Sequence, residues 1–471
     1  MLIVGGNQSA GGYEVDNSLR FDDGSGDELT RSQSGSPSSR RLFTFSAWVK
    51  RGNLNSGVSD PNMQFFSQHN DTTDRMDFRF QSGDTIDFFH SGSLGRLTTN
   101  RLFRDTNAWY HIVLRVDTTQ ATSSDRYRLY VNGVQETSFS TETQPSQNAD
   151  LGTNFSTFDV GDGSFGTEHF DGYMCEVVYC DGQSLDPTSF GEFDADSGIW
   201  KPIDVSGLTF GTNGFYLQFQ DSAALGDDTS GNGNDFTVNN LTSIDQSTDT
   251  CTNNFATMNP LAAQGGSSQS SSGITFSDGN LKVSDIDGTS QSTSIGTLGV
   301  DTGKWYWEVK VITDQDGLTI GGANQYFNLD AELGNDSPSS TSDAKIFAYY
   351  GGNGNKAITV GDGSQFSAYG AAIAVNDIIG VALNLDDNEV TFYKNGSSQG
   401  TFSITALGSG EVYFPAVGNW SAATIAVSFN FGSPAFTISS GNSDADGYGN
   451  FEYSVPSGYY ALNTKNLAEY G

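Results

Sequence analysis

Cysteine is nearly absent: Cys175, Cys180 and Cys251 are the only three in 471 residues. An odd, sparse count in a long chain excludes a disulfide scaffold. On one strand Cys175 and Cys180, five apart, would face opposite sides and could not bridge. No C-x-x-C and no His/Cys cluster occurs, so a zinc site is not expected. The four histidines (His69, His90, His111 and His169) lack metal spacing such as H-x-x-x-H, and none is read as a ligand or catalyst. Positive charge is scarce as well: 22 Lys and Arg stand against 56 Asp and Glu, a net of −34. That balance argues against nucleic acid as a partner, and against an anionic membrane surface. No run of 18 apolar residues exists, so no membrane insertion is expected. The start, MLIVGGNQSAGG, has no basic segment, so no secretory signal is expected. There is no P-loop, and no G-x-S-x-G elbow between a strand and a helix.

What is abundant is turn chemistry and aromatic residues. Glycine numbers 57 and aromatics make up 12%. The aromatic content argues against disorder, and few stretches carry a helical i, i+3, i+4 pattern. The fold class is therefore all-β, with two antiparallel β-sandwiches in tandem. In WYHIVLRVD, Tyr110, Ile112, Leu114 and Val116 share one face. RYRLYVNGVQETSF then turns at Asn132-Gly133, the pair a type I′ hairpin favours. The second half repeats the device. KWYWEVKV aligns Trp305, Trp307, Val309 and Val311, IIGVALNLDD aligns Ile379, Val381 and Leu383, and EVTFYKNGSSQG turns at Asn395-Gly396. FATMNPLAAQGGSSQSSSG reads as a flexible linker. The expected division is 1–255 for the first sandwich, 256–273 for the linker, 274–435 for the second sandwich and 436–471 for a packed tail. Charge is also unevenly placed, because all 13 arginines lie at or before Arg128. One reading is compositional drift. The other is a near-neutral front that docks on a partner while the acidic remainder faces solvent.

SLRFDD, LFTFSAWVKRG, WYHIVLRVDTTQ, RLYVNGVQ and FDGYMCEVVYCDGQSL resemble the laminin G-like, concanavalin A-like jelly roll. GKWYWEVKV, IIGVALNLDDNEVTFYKNG and VYFPAVG resemble a SPRY domain, again a concanavalin-like sandwich. The whole order, with FGTNGFYLQFQDS, TNNFATMNPL and PSGYYALNTKNL, resembles virion proteins of tailed bacteriophages, especially marine ones. That resemblance implies a non-enzymatic virion protein, part of a tail fibre or appendage, acting in adhesion to host-surface glycan or protein. Its partners would be other virion proteins and copies of itself, and its location the particle surface. The alternatives are a decoration or joint protein binding only other virion proteins, and a polysaccharide depolymerase.

Three constellations carry chemistry. Glucanases of this fold place two carboxylates on one strand face, and the nearest string is Glu192, Asp194 and Asp196. Its last member departs from the pattern and it lies in a Ser/Gly-flanked segment, so a solvated loop is the expectation. A second constellation crowds Asx residues into one loop. Asp221, Asp228, Asn232 and Asp235 there are calcium candidates, because a hard cation wants several oxygens from a turning chain. The same composition also builds tight turns. Glycan stacking needs an exposed aromatic beside an amide, and the candidates are Trp420 with Asn419 and Tyr326 with Asn324. Both aromatics lie in turn-rich segments resembling SPRY rim loops, where covering the core is the other role open to them.

Overall fold

A computed structural model describes residues 12–471 apart from 34, 53, 55–61, 72, 93, 152–156, 164–167, 265–273, 288–291, 314–315, 330–332, 334–342, 361–365 and 420–423. Two compact units divide between Asn253 and Asn254. Each is built on a pair of large, mainly antiparallel sheets, and the architecture is all-β as the alternation requires.

In the first unit one sheet runs Val134–Gln135, Tyr127–Val131, Trp109–Asp117, Leu42–Arg51, Gly172–Asp181, Ser18–Phe21, Gln246–Ser247. The facing sheet runs Phe139–Thr143, Gly95–Thr99, Thr85–His90, Arg75–Gln81, Met63–His69, Thr157–Val160, Glu28–Ser32, Thr237–Asn239. Tyr110, Ile112, Leu114 and Val116 enter the core between them. Phe65 and Phe66 are adjacent yet both buried, because the pairing slips between Gln64 and Phe66. The outer face of the first sheet is covered too. Val113, Val178 and Cys180 pack there beneath Phe190, Val205 and Phe210. At the hairpin, Asn132 and Gly133 have φ of 49° and 75°, as a type I′ turn demands.

A second slip, between Cys175 and Val178, corrects the expectation for the cysteines. Cys175 pairs with Trp48 and Cys180 with Thr44, two residues of the strand's outer face. The extra residue, with Glu176 at φ 51°, resets the parity of the strand. Both thiols therefore face outward on the same side.

In the second unit one sheet runs Met258–Gln264, Ser292–Gly296, Tyr413–Asn419, Leu318–Asn324, Lys345–Tyr350, Asn355–Val360, Phe366–Ala368. The other runs Thr275–Ser277, Lys282–Asp287, Thr424–Asn430, Lys304–Thr313, Ile378–Asn384, Glu389–Lys394, Ser397–Ser403. Trp305, Trp307, Val309, Ile379 and Val381 fill the core as their alternation requires. The segment expected to be a linker is strand over Met258–Gln264, and Ala256 and Met258 are buried. Pro260 is tolerated because this strand is the sheet's edge. The Gly/Ser run from 265 to 273 lies outside the described residues. The tail packs on its own sandwich. Glu308 accepts the Glu452 and Tyr453 amides at 3.0 and 2.9 Å, and Asp444 accepts the Ala461 amide at 2.9 Å.

Candidate functional site

The rim of the second sandwich is built where Leu318–Asn324 ends between two neighbours. Asn324 pairs with Tyr413 and lies next to the start of Lys345–Tyr350. Its side chain is buried and fully used. Nδ2 donates to the Asp343 carbonyl at 2.9 Å and to Glu411 at 3.3 Å, while Oδ1 accepts the Lys345 amide at 3.0 Å. Asn324 thus holds the rim together rather than facing a ligand. Gln325 locks onto Val412, and its Nε2 donates to Glu411 at 3.0 Å. Lys345 Nζ reaches the same carboxylate at 2.6 Å. Lys345, then Asn324 and Gln325, hold Glu411 below the ordinary carboxylate range. Tyr326, next in the chain, leaves 52% of its surface in solvent. The result is an exposed aromatic beside a fixed, charged and amide-rich platform.

The amide of the second candidate pair does not join it. Asn419 is buried at the other end of Tyr413–Asn419, paired with Leu318. Six residues of strand separate it from the rim, about 20 Å. Trp420 lies outside the described residues.

The Asx loop is a hydrogen-bonded turn. The Asp228 carboxylate accepts the amides of Tyr216, Ser230 and Asn234 at 2.9 Å each and the Ser230 hydroxyl at 2.8 Å. Asp235 accepts the Asp228 amide, Asp221 accepts the Ala223 amide, and Asn232 donates to the Gly211 and Gly214 carbonyls. Among the described residues, the acids that bring their oxygens within 4.8 Å of one another are Asp22, Asp23 and Asp171 instead. Of the glucanase-like string, Glu192 lies on the short strand Gly191–Phe193, paired with Lys201, against the loop expected, and only Asp194 and Asp196 stand in a turn. Asp194 accepts Ser197 and Asp196 amides and pairs with Lys201, and these bonds hold it far below the usual range. Glu192 shares Lys201 at 3.4 Å.

Sequence reasoning missed a charged network on the outer face of the first unit's second sheet. Arg75, Asp77 and Arg79 alternate with buried Met76, Phe78 and Phe80, so that face was legible in RMDFRFQ. Arg75 meets Asp77 at 2.8 Å, Arg79 meets Glu168 at 2.8 Å and Asp87 at 3.4 Å, and Arg96 meets Asp87 at 2.8 Å. Burial pushes the Asp77 carboxyl up to about 6, against the pull of Arg75 and Arg79. Every carboxylate of this set is paired with a guanidinium, which leaves it structural. Other arginines are spent likewise. Arg20 pairs with Asp245, Arg51 and Arg104 with Asp84, and Arg115 with Asp186. These arginines of the front serve internal pairing.

Comparison with known proteins agrees on both sandwiches. Residues 23–183 match the concanavalin A-like lectin/glucanases superfamily, and residues 304–434 match the SPRY domain. The chain therefore carries a laminin G/concanavalin A-like domain followed by a SPRY domain. Among curated proteins it is similar to the ATP-dependent RNA helicase Ddx1 of Drosophila melanogaster, 34% identical over 148 residues. That match covers 31% of this chain and 18% of the helicase. The Xenopus laevis counterpart is 32% identical over 141 residues, 30% of this chain and 17% of that protein. The chain thus spans less than a fifth of the curated relatives it matches. Among solved structures it is similar to the SPRY domain of human HERC1, at 19% identity and TM-score 0.28, covering 36% of this chain and 96% of that one. It is also similar to the TRIM65 PSpry domain, at 14% identity and TM-score 0.27, covering 37% and 91%.

These relatives overturn the bacteriophage expectation. Tail-fibre adhesion and the decoration or joint alternative rested on a whole-chain likeness to virion proteins, whereas the depolymerase alternative rested on the glucanases of this fold, whose carboxylate string is here tied to Lys201. These curated matches are eukaryotic RNA helicases, not virion proteins. The join and tail motifs that carried the likeness lie outside the two matched domains, and the domains themselves are folds that host unrelated functions.

Proposed function

We propose that this chain is a non-enzymatic recognition protein whose SPRY sandwich holds a polypeptide partner at the rim around Tyr326. The observation that carries the reading is the 52% exposed Tyr326 beside the Lys345–Glu411 pair, on a platform fixed by buried Asn324. Tyrosine supplies apolar contact at little entropic cost, and the charges around it set orientation. ATP-driven unwinding is said of the helicases alone, of which this chain spans less than a fifth.

A peptide array probed with the full chain tests the reading. Wild type should retain a set of peptides, and Tyr326→Ala should weaken them about tenfold or more while unfolding at an unchanged temperature. Retention unaffected by Tyr326→Ala, or no retention at all, would overturn it.

A further inference from the structure

The cysteine pair that matters joins distant segments. Cys175 lies on the Gly172–Asp181 strand, and Cys251 arrives on the segment after Gln246–Ser247. Their Sγ atoms are 3.7 Å apart across a sequence span of 76 residues. Cys175 is buried with Trp48, Val15 and Trp200, and Cys251 packs against that cluster partly buried. The Cys251 segment is held on both sides. Asp249 takes a buried ion pair from Lys50 at 2.7 Å and the Trp109 indole N–H at 3.2 Å. Thr250 and Asn253 exchange two amide–carbonyl bonds at 3.1 Å, and Thr252 Oγ1 accepts the Val15 amide at 3.1 Å.

A disulfide needs its sulfurs about 2.05 Å apart, so each sulfur has to move by less than about 1 Å. A side-chain rotation supplies that without breaking the bonds of Asp249, Thr250 or Thr252. A bound metal would want more ligands. Among the described residues no third His, Cys, Asp or Glu atom groups with the two thiols. Cys180 is out of the pair, buried in a separate cluster with Val113 and Phe210.

We propose that Cys175 and Cys251 form a reversible disulfide when the protein meets a low-molecular-weight disulfide. Cys251, the less buried partner, attacks the reagent's S–S bond as the thiolate. One reagent thiol leaves with the electron pair and takes up a proton. Cys175 then attacks Cys251 Sγ as the thiolate and expels the second thiol, which is protonated in turn. Two protein thiols lose two electrons and two protons, and the reagent gains both. Burial, Cys175 and the Glu176 carboxyl all hold the Cys251 thiol well above its ordinary value. The exchange is therefore slow at neutral pH and quickens as pH rises. Once made, the bridge staples the last segment of the first unit to its central strand.

The test exposes the full chain to oxidised glutathione at pH 8, alkylates remaining thiols and maps peptides without reduction. The expected product joins the Cys175 and Cys251 peptides, with Cys180 still a thiol. Unfolding of the first unit should move up by about 5 °C, and dithiothreitol should reverse the move. Cys180→Ser should behave as wild type, and Cys251→Ser should lose both the product and the shift. Three free thiols after exposure, a stable glutathione adduct at Cys251, or any bridge through Cys180 would overturn the proposal. The wild-type map decides by itself if Cys251→Ser fails to fold.

Discussion

Ser46 and His111 touch at 2.9 Å, a contact that in other settings activates a nucleophile. Here a third residue decides its direction. The Trp200 indole N–H lies 2.9 Å from His111 Nδ1, and an indole nitrogen can only donate. Nδ1 must therefore accept, and the proton of the neutral ring sits on Nε2. The imidazole donates to Ser46 Oγ instead of drawing its proton away. Burial alone lowers the His111 pKa to about 3, so the ring stays neutral throughout the ordinary range. Ser46 is also buried. A fluorophosphonate probe should leave Ser46 unlabelled in the folded protein, read by mass spectrometry of the peptide holding it. Labelling at Ser46 would mean that the ring accepts, and would reopen a hydrolytic role.

At the scale of elements, the hairpin turns carry both conformation and packing. Gly133 sits at φ 75°, and a Cβ there would lie 2.4 Å from the Trp200 ring. Gly133→Ala thus combines a left-handed backbone with a clash against a buried indole. It should cost about 2 kcal/mol or more in denaturant unfolding. A loss under about 0.5 kcal/mol would show that the Trp200 cover yields freely. This turn was legible because Asn-Gly is a local signal. The strands were legible for the same reason: Tyr110, Ile112 and Leu114 alternate over residues that touch in sequence. What could not be read was anything set by a slip in pairing or a distant partner. The extra residue beside Glu176 turned Cys175 and Cys180 to one side. The edge position of Met258–Gln264 let a proline stand in a strand that had looked like linker. At the rim, Tyr326 was readable as a loop aromatic. The role of Asn324 was not, because its partners Asp343 and Lys345 come from one distant segment and Glu411 from another.

For the whole molecule, charge and burial together set a pH response opposite to ordinary acid denaturation. In the first unit burial pushes Glu176 up to about 7, Asp27 and Asp77 up to about 6 and Asp162 up to about 8. A carboxyl with a raised folded pKa binds its proton more tightly when folded. Its contribution is fully present below the unfolded value and is lost as pH rises through the folded one. Stability should therefore climb as pH falls from 8 toward 5. Two histidines set the lower limit. Burial holds His90 at about 4 and His111 at about 3, so each favours unfolding as pH drops below about 6.5. Between about pH 6.5 and 4 the two groups oppose each other. Below 4 the acids have finished gaining and the His111 cost still grows. The unfolding temperature of the first unit should thus be higher at pH 6 than at pH 8, and should fall again by pH 3. The net charge of −34 acts in the same direction near neutrality, because acid relieves its self-repulsion. Salt separates the two causes, since it screens surface charge more than buried groups. In 0.5 M salt the rise from pH 8 to 6 should survive in wild type and shrink in Glu176→Gln. A rise that vanishes in salt would assign the effect to surface repulsion alone, and an undiminished rise in Glu176→Gln would remove Glu176 from the account.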